Sequence, residues 1–264
     1  MNAPMWHSCG MAAVPSSTEW LAAAEANRFS AIRYTKRRTE ALLGRWTAKR
    51  TIATALGLSD DPADLASIVV RNAPDGAPEV FIDDSPVGLT LAMTDRADWA
   101  VATVRHGPDR IGCDLELVEP RSDRFIADYL TPAEQALVDH GDRDLLANLI
   151  WSAKESALKV LRTGLRRDTR SAEVSPTLGN GQGWSELSVV VDGRRQYGWW
   201  IRYGDFVLTV TAAVPVDPPH AIAEPPALAS AIPTHSWMGH SWMGGLREGR
   251  PRAELVRPGR GDSG

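Results

Sequence analysis

A chain of 264 residues is long enough to bury a full core in one or two domains. Its formal charge of −4 excludes the global basic field of a nucleic-acid binder. Its two cysteines, Cys9 and Cys113, exclude a disulfide framework, and no stretch approaches the roughly 20 apolar residues of a membrane span. The expectation is a cytoplasmic protein with reduced thiols, no nucleic-acid or membrane partner and, from the absence of a basic start followed by an apolar run, no signal peptide.

In chain order, residues 1 to about 14 read as a loose leader, and a short helix spans Glu19 to Ala26. From Arg33 to Arg50 seven basic residues (Arg33, Lys36, Arg37, Arg38, Arg45, Lys49, Arg50) face one acid, Glu40. Most of this run lies on a helix from about Lys36 to Leu56, with Leu42, Leu43, Trp46, Ala53 and Leu56 apolar and Gly57 as its stop. Strands follow at Ser67 to Arg71, Glu79 to Ile82, Gly88 to Met93, Trp99 to Val104 and Arg110 to Leu115. Thr131-Pro132-Ala133-Glu134 predicts a helix start with a capping box. Helices fill 132–140 and about 143–163, and a second basic run follows at Arg162, Arg166, Arg167 and Arg170. Trp184 to Val191, Gly198 to Tyr203 and Phe206 to Val214 read as strands. Beyond Val216 the chain turns Pro-, Gly- and Arg-rich and repeats His-Ser-Trp-Met-Gly, so 217–264 is expected to be disordered.

The chain repeats itself. Trp46-Thr47-Ala48-Lys49 matches Trp151-Ser152-Ala153-Lys154, 105 positions on, and Asp98-Trp99-Ala100-Val101 matches Asp205-Phe206-Val207-Leu208, 107 positions on. The expected fold is therefore α+β: a pseudo-twofold duplication of two halves, 15–105 and 106–216, each an antiparallel sheet with a long helix, with a ligand cleft between them. Arg50 stands where the second copy has Glu155.

Chemistry concentrates in the second half. Asp114 and Glu116 alternate at a strand end and share a face, and Gly112 leaves room for a close approach by a ligand or another backbone. Glu155 and Lys159 lie one turn apart on the helix carrying Trp151. Three carboxylates, Asp114, Glu116 and Glu155, repel one another unless a cation sits among them, and all-oxygen ligation with room for phosphate favours Mg²⁺ or Mn²⁺ over zinc.

Gly112-Cys113-Asp114-Leu115-Glu116, the helix Trp151-Ser152-Ala153-Lys154-Glu155-Ser156-Ala157-Leu158-Lys159 and, more loosely, Gly44-Arg45-Trp46-Thr47-Ala48-Lys49 with Gly76-Ala77-Pro78 resemble the 4′-phosphopantetheinyl transferases of the surfactin-synthetase type. The resemblance spans residues 28–214. It implies a monomeric pseudo-dimer that moves phosphopantetheine from coenzyme A to a serine of an acyl or peptidyl carrier protein, releasing 3′,5′-ADP. It implies that Asp114, Glu116 and Glu155 hold Mg²⁺ against the pyrophosphate, that Glu155 takes the serine proton, and that Lys159 serves the leaving phosphate oxygen. Arg45, Lys49, the Arg33–Arg38 group and Lys154 are its candidates for phosphate contact, Lys154 alternatively packing its stem. One block departs: where the family carries a Ser-His-Ser-type segment whose His grips the 3′-phosphate, this chain has Ala92-Met93-Thr94-Asp95-Arg96. Arg96 is expected to restore the charge and Thr94 to donate a hydroxyl. Two alternatives remain: a non-catalytic homologue that binds carrier protein or nucleotide, and another Mg²⁺-dependent phosphoryl-transfer enzyme or nuclease. Phe125 and Tyr129 are candidates for receiving the carrier protein or for the core.

Overall fold

Two successions of strand, helices and strands follow one another along the chain. A computed structural model describes residues 3–163, 167–179 and 183–235. The first succession is β1 (Met5–Gly10), α1 (Ala23–Ser30), α2 (Thr35–Leu56), α3 (Pro62–Ser67), β2 (Ile68–Asn72), β3 (Pro78–Ile82), β4 (Ser85–Pro86), β5 (Leu89–Arg96) and β6 (Trp99–His106). The second is β7 (Ile111–Leu117), α4 (Asp123–Tyr129), α5 (Pro132–His140), α6 (Arg143–Leu161), β8 (Ala172–Pro176), β9 (Ser185–Val191), β10 (Arg194–Tyr203) and β11 (Phe206–Ala212). A two-residue strand, β12 (His220–Ala221), closes the sequence of elements.

The second half forms one antiparallel sheet in the order β7-β11-β10-β9-β8. The first half holds β1-β6-β5, with β3 of the separate sheet β2-β3-β4 packed beside β5. Read as β1, β6, β5, β3, β2, the order is the same. The registers agree too. Asp114 faces Thr209 and Glu116 faces Val207 across β7 and β11, as His7 faces Ala102 and Cys9 faces Ala100 across β1 and β6. Each residue of one set lies 107 positions from its counterpart, so His7 and Cys9 occupy the places that Asp114 and Glu116 hold in the second half.

The expected mixed α+β fold with antiparallel sheets is present. The capping box of α5 forms as read: Thr131 Oγ1 accepts from Glu134 N at 3.3 Å and Glu134 Oε2 accepts from Thr131 N at 2.7 Å. Asp142 caps α6 by accepting from Leu145 N, and Gly57, with φ +70, ends α2. Helix α6 buries Leu146, Leu149, Ile150, Ala153 and Ala157 against β8, β9 and β10, and α2 buries Ala48, Ile52 and Ala53 in the matching core of the first half.

Two expectations are corrected. The supposed leader contains β1, which pairs antiparallel with β6 along its whole length. Its strand character comes from this partner and from burial of Trp6, Ser8 and Cys9, which its own composition does not announce. The supposed disordered tail begins with packed chain. β12 pairs parallel with β1, Leu228 N donates to Ser8 Oγ at 3.0 Å, and Leu228 is 1% exposed. The rest of that expectation, residues 236–264, lies outside the described residues, as does Arg166. Among the described residues no helix is long and apolar enough to cross a membrane.

Candidate functional site

The site forms where β5 of the first half lies against β7 of the second. Thr94 joins the two strands. Its Oγ1 accepts from Leu115 N and donates to Asp114 Oδ1, both at 3.2 Å. Its one hydroxyl proton is thus committed to Asp114, an internal role in place of the expected phosphate contact.

Helix α6 reaches this junction because β7 has no side chain at Gly112. A Cβ there would fall 2.0 Å from the Ser156 carbonyl oxygen, so helix backbone packs directly on strand backbone. Ser152 and Ser156 then exchange hydroxyl contacts with Thr209 and Thr211 of β11, each at 2.8 Å, and satisfy polar groups in a dry interface. This close approach sets Lys159 over the strand. Its Nζ donates to Cys113 O at 2.8 Å and to Asp114 Oδ1 at 2.9 Å. Burial alone would lower the Lys159 pKa, but the carboxylate of Asp114, with Cys113 and Glu155, raises it.

Glu155, one turn earlier, stands nearby. Burial and then the Asp114 charge push its carboxyl up to about 7, opposed by Lys159. Glu155 Oε1 and Asp114 Oδ2 are both buried with no hydrogen-bond partner. Two mutually repelling carboxylates with an unpartnered buried oxygen each fit a hard divalent cation that takes oxygen ligands.

Glu116 faces different company. Its Oε1 accepts from Trp151 Nε1 at 3.0 Å, while Oε2 lies 3.2 Å from Arg96 Nε and accepts from Arg121 at 3.1 Å. Burial, and next the Asp114 charge, push the Glu116 carboxyl up to about 7, against the downward pull of Arg121, Arg96 and the indole. Among the described residues no three His, Cys, Asp or Glu side chains converge closely enough to hold one ion. Of the expected trio, Asp114 and Glu155 each keep an unpartnered buried oxygen, whereas Glu116 is engaged by the Trp151 indole on one oxygen and by two guanidinium groups on the other.

Three further expectations change. Arg96 does not stand ready for a phosphate: it pairs with Glu116 and, at 2.8 Å, with Glu119. Lys49 and Lys154 are completely buried. Lys49 donates to Trp20 O and Leu65 O and lies 2.6 Å from Glu25; Lys154 donates to Thr169 O and Ala172 O and lies 2.8 Å from Glu134. Neither ammonium can reach a ligand. Arg45 is placed differently. It is anchored by Val70 O and Glu25, its buried Nε has no hydrogen-bond partner, and it lines a cavity of about 390 Å³ with Arg28, Phe29, Arg37, Thr94 and Asp95. A second cavity of about 1010 Å³ opens between the halves, lined by Gly76, Pro78, Phe81, Met93, Lys159 and Arg162.

The sequence reading missed Trp151, Glu119 and Arg121 as neighbours of this cluster. Glu119 and Arg121 follow Glu116 at short spacing, which was the available signal. Phe125 and Tyr129 pack their rings on Trp151, at 5.3 and 5.1 Å between centroids, beside Glu116. At the counterpart position in the first half, Arg50 pairs with Asp60 at 2.8 Å and its charge acts on His7 and Cys9.

Residues 110–211, the segment that holds Asp114, Glu116, Glu155 and Lys159, match the family model of the 4′-phosphopantetheinyl transferase superfamily. No curated protein matches the chain. Among solved structures it is similar to a holo-[acyl-carrier-protein] synthase from Neisseria meningitidis, with 18% identity over 41% of this chain and 99% of that one, at a TM-score of 0.34.

Proposed function

We propose that this chain transfers 4′-phosphopantetheine from coenzyme A to a serine of an acyl or peptidyl carrier protein, as a single-chain enzyme of the surfactin-synthetase type. One observation carries the reading. Within the segment matched to the superfamily, Asp114, Glu155 and Lys159 come together at the junction of the two halves, and Lys159 lines the 1010 Å³ cavity.

Asp114 and Glu155 would hold the divalent cation, Mg²⁺ by the hardness of its oxygen ligands, with Mn²⁺ as a substitute. Bound there, the cation supplies charge neutralisation at the pyrophosphate under attack. Glu155, an anion when the cation is bound, accepts the proton of the carrier serine. Lys159 is fixed by two hydrogen bonds and stays cationic, so it balances charge on the departing phosphate oxygen without reorganising. Arg28, Arg37 and Arg45 offer guanidinium groups to the remaining phosphates of the nucleotide.

The test is intact-mass spectrometry of an apo carrier protein incubated with this chain, coenzyme A and Mg²⁺. The expected result is the gain of one phosphopantetheine, absent with Glu155→Gln or with EDTA. Coenzyme A binding without transfer across a panel of carriers would favour the non-catalytic alternative.

A further inference from the structure

Under the reading above, three carboxylates would be available to the cation, yet they are not equivalent. Asp114 and Glu155 each keep a buried oxygen without a partner, whereas both oxygens of Glu116 are engaged, one by the Trp151 indole and the other by two arginines. The side chains of Glu116, Arg96 and Arg121 are between 9% and 11% exposed, so their attraction is little screened by solvent. Each arginine is also held from its other side. Arg96 pairs with Glu119 at 2.8 Å, and Arg121 donates to Asn148 Oδ1 at 2.6 Å and lies over the Phe125 ring at 4.7 Å. Asn148 in turn donates to Glu119 O at 2.7 Å, which closes a ring of contacts linking β5, β7, α6 and the segment after β7.

We propose that Glu116 is a positioning residue that anchors Arg96 and Arg121, and that the cation is held by Asp114 and Glu155 alone. Freeing Glu116 for an ion would leave two guanidinium groups facing each other, with Glu119 as their only remaining carboxylate among these contacts, and it would take the acceptor from the Trp151 indole. The anchor ties the cation site to the aromatic group of Phe125, Tyr129 and Trp151 and holds the β5 edge of the first half against β7 of the second.

Removing Glu116 alone would leave unbalanced positive charge beside the cation, so the decisive variant is the charge-neutral pair Glu116→Gln with Arg96→Gln. Binding of Mn²⁺ alone, followed by electron paramagnetic resonance, reads the outcome without turnover. The pair is expected to keep Mn²⁺ affinity within about threefold of the unmodified chain, while Asp114→Asn or Glu155→Gln loses on the order of a hundredfold. A loss in the pair as large as that of Asp114→Asn overturns the inference. If the pair fails to fold, anomalous diffraction from Mn²⁺-soaked crystals of the unmodified chain decides: an ion on Asp114 and Glu155 supports the inference, and one coordinated by Glu116 overturns it. Absence of any Mn²⁺ binding overturns it as well. Failure to modify a carrier with Mn²⁺ binding intact counts only against the transfer reaction.

Discussion

Lys154 and Glu134 form a completely buried ion pair that reproduces, in the second half, the pair made by Lys49 and Glu25 in the first. The agreement extends to their surroundings. Glu134 accepts from Thr131 N and Val174 N, as Glu25 accepts from Ala22 N and Val70 N. Each lysine donates to two backbone carbonyls, Thr169 and Ala172 in one half, Trp20 and Leu65 in the other. Each pair thus ties its long helix to the preceding helix and to the strand that follows. Lys154→Met is expected to lower stability by about 3–5 kcal/mol, because it leaves a buried carboxylate without its counter-ion. Lys154→Met with Glu134→Leu should lose less than the sum of the single changes, measured by urea unfolding as a double-mutant cycle.

Gly112 sets the height of α6 over β7. Gly112→Ala would put a methyl 2.0 Å from the Ser156 carbonyl oxygen, a contact relieved only by lifting the helix. A loss of about 3 kcal/mol is expected in chemical denaturation. Glu155 and Lys159 ride on the displaced helix, so Mn²⁺ affinity should fall along with stability. Unchanged affinity in a destabilised variant would show that the site tolerates the lift.

The segment after Val216 bears on stability, contrary to the sequence expectation that it is disordered. Leu228 and Ala221 pack with Trp6 and Ala97 of the first half and with Leu115, Leu117 and Phe206 of the second. Trp99 Nε1 also donates to Ile232 O at 3.2 Å. Truncation after Val216 is expected to lower the Tm clearly, and Leu228→Ala to cost about 2–4 kcal/mol. Truncation after Thr234, which keeps these contacts, should leave the Tm near that of the full chain.

Glu155 gives stability a pH dependence of defined sign. Burial and the Asp114 charge push its carboxyl up to about 7 in the folded protein, against the ordinary 4.5 of a glutamate. Between these values the folded chain keeps a proton that the unfolded chain has lost, so this group's contribution falls as pH rises from about 4.5 to about 7, and stays low above. Glu155→Gln should therefore gain on the order of 2 kcal/mol in unfolding free energy at a pH of about 8, without cation, and almost nothing near pH 4.5. Equal gains at both pH values would contradict this origin. A divalent cation requires the anion, so Mn²⁺ should raise the Tm more at the higher pH.

Much of this fold was legible because local signals agreed with it. The Thr131-Pro132-x-Glu134 start, the Gly57 stop and the repeated Trp-Ser/Thr-Ala-Lys block each mark a feature the structure contains. What escaped was set by distant chain. Strand β1 lacks β-branched residues and is held by β6, and lysine is so seldom fully buried that the resemblance made Lys49 and Lys154 candidates for phosphate contact. The same block carried a hint: a lysine repeated with its helix, while the next residue changes from Arg50 to Glu155, behaves as framework beside a variable position. Glu116 was read by its chemistry, and only the approach of Arg96 from the other half shows what its oxygens face.

The pairing of β12 with β1 sets an order on assembly during synthesis. Strand β1 has one edge filled by β6, but its other edge waits for His220 and Ala221, made more than two hundred residues later. Until then a strand edge stays open on the growing chain, an invitation to pairing with other chains. A nascent polypeptide halted before that point would be the form most prone to aggregate.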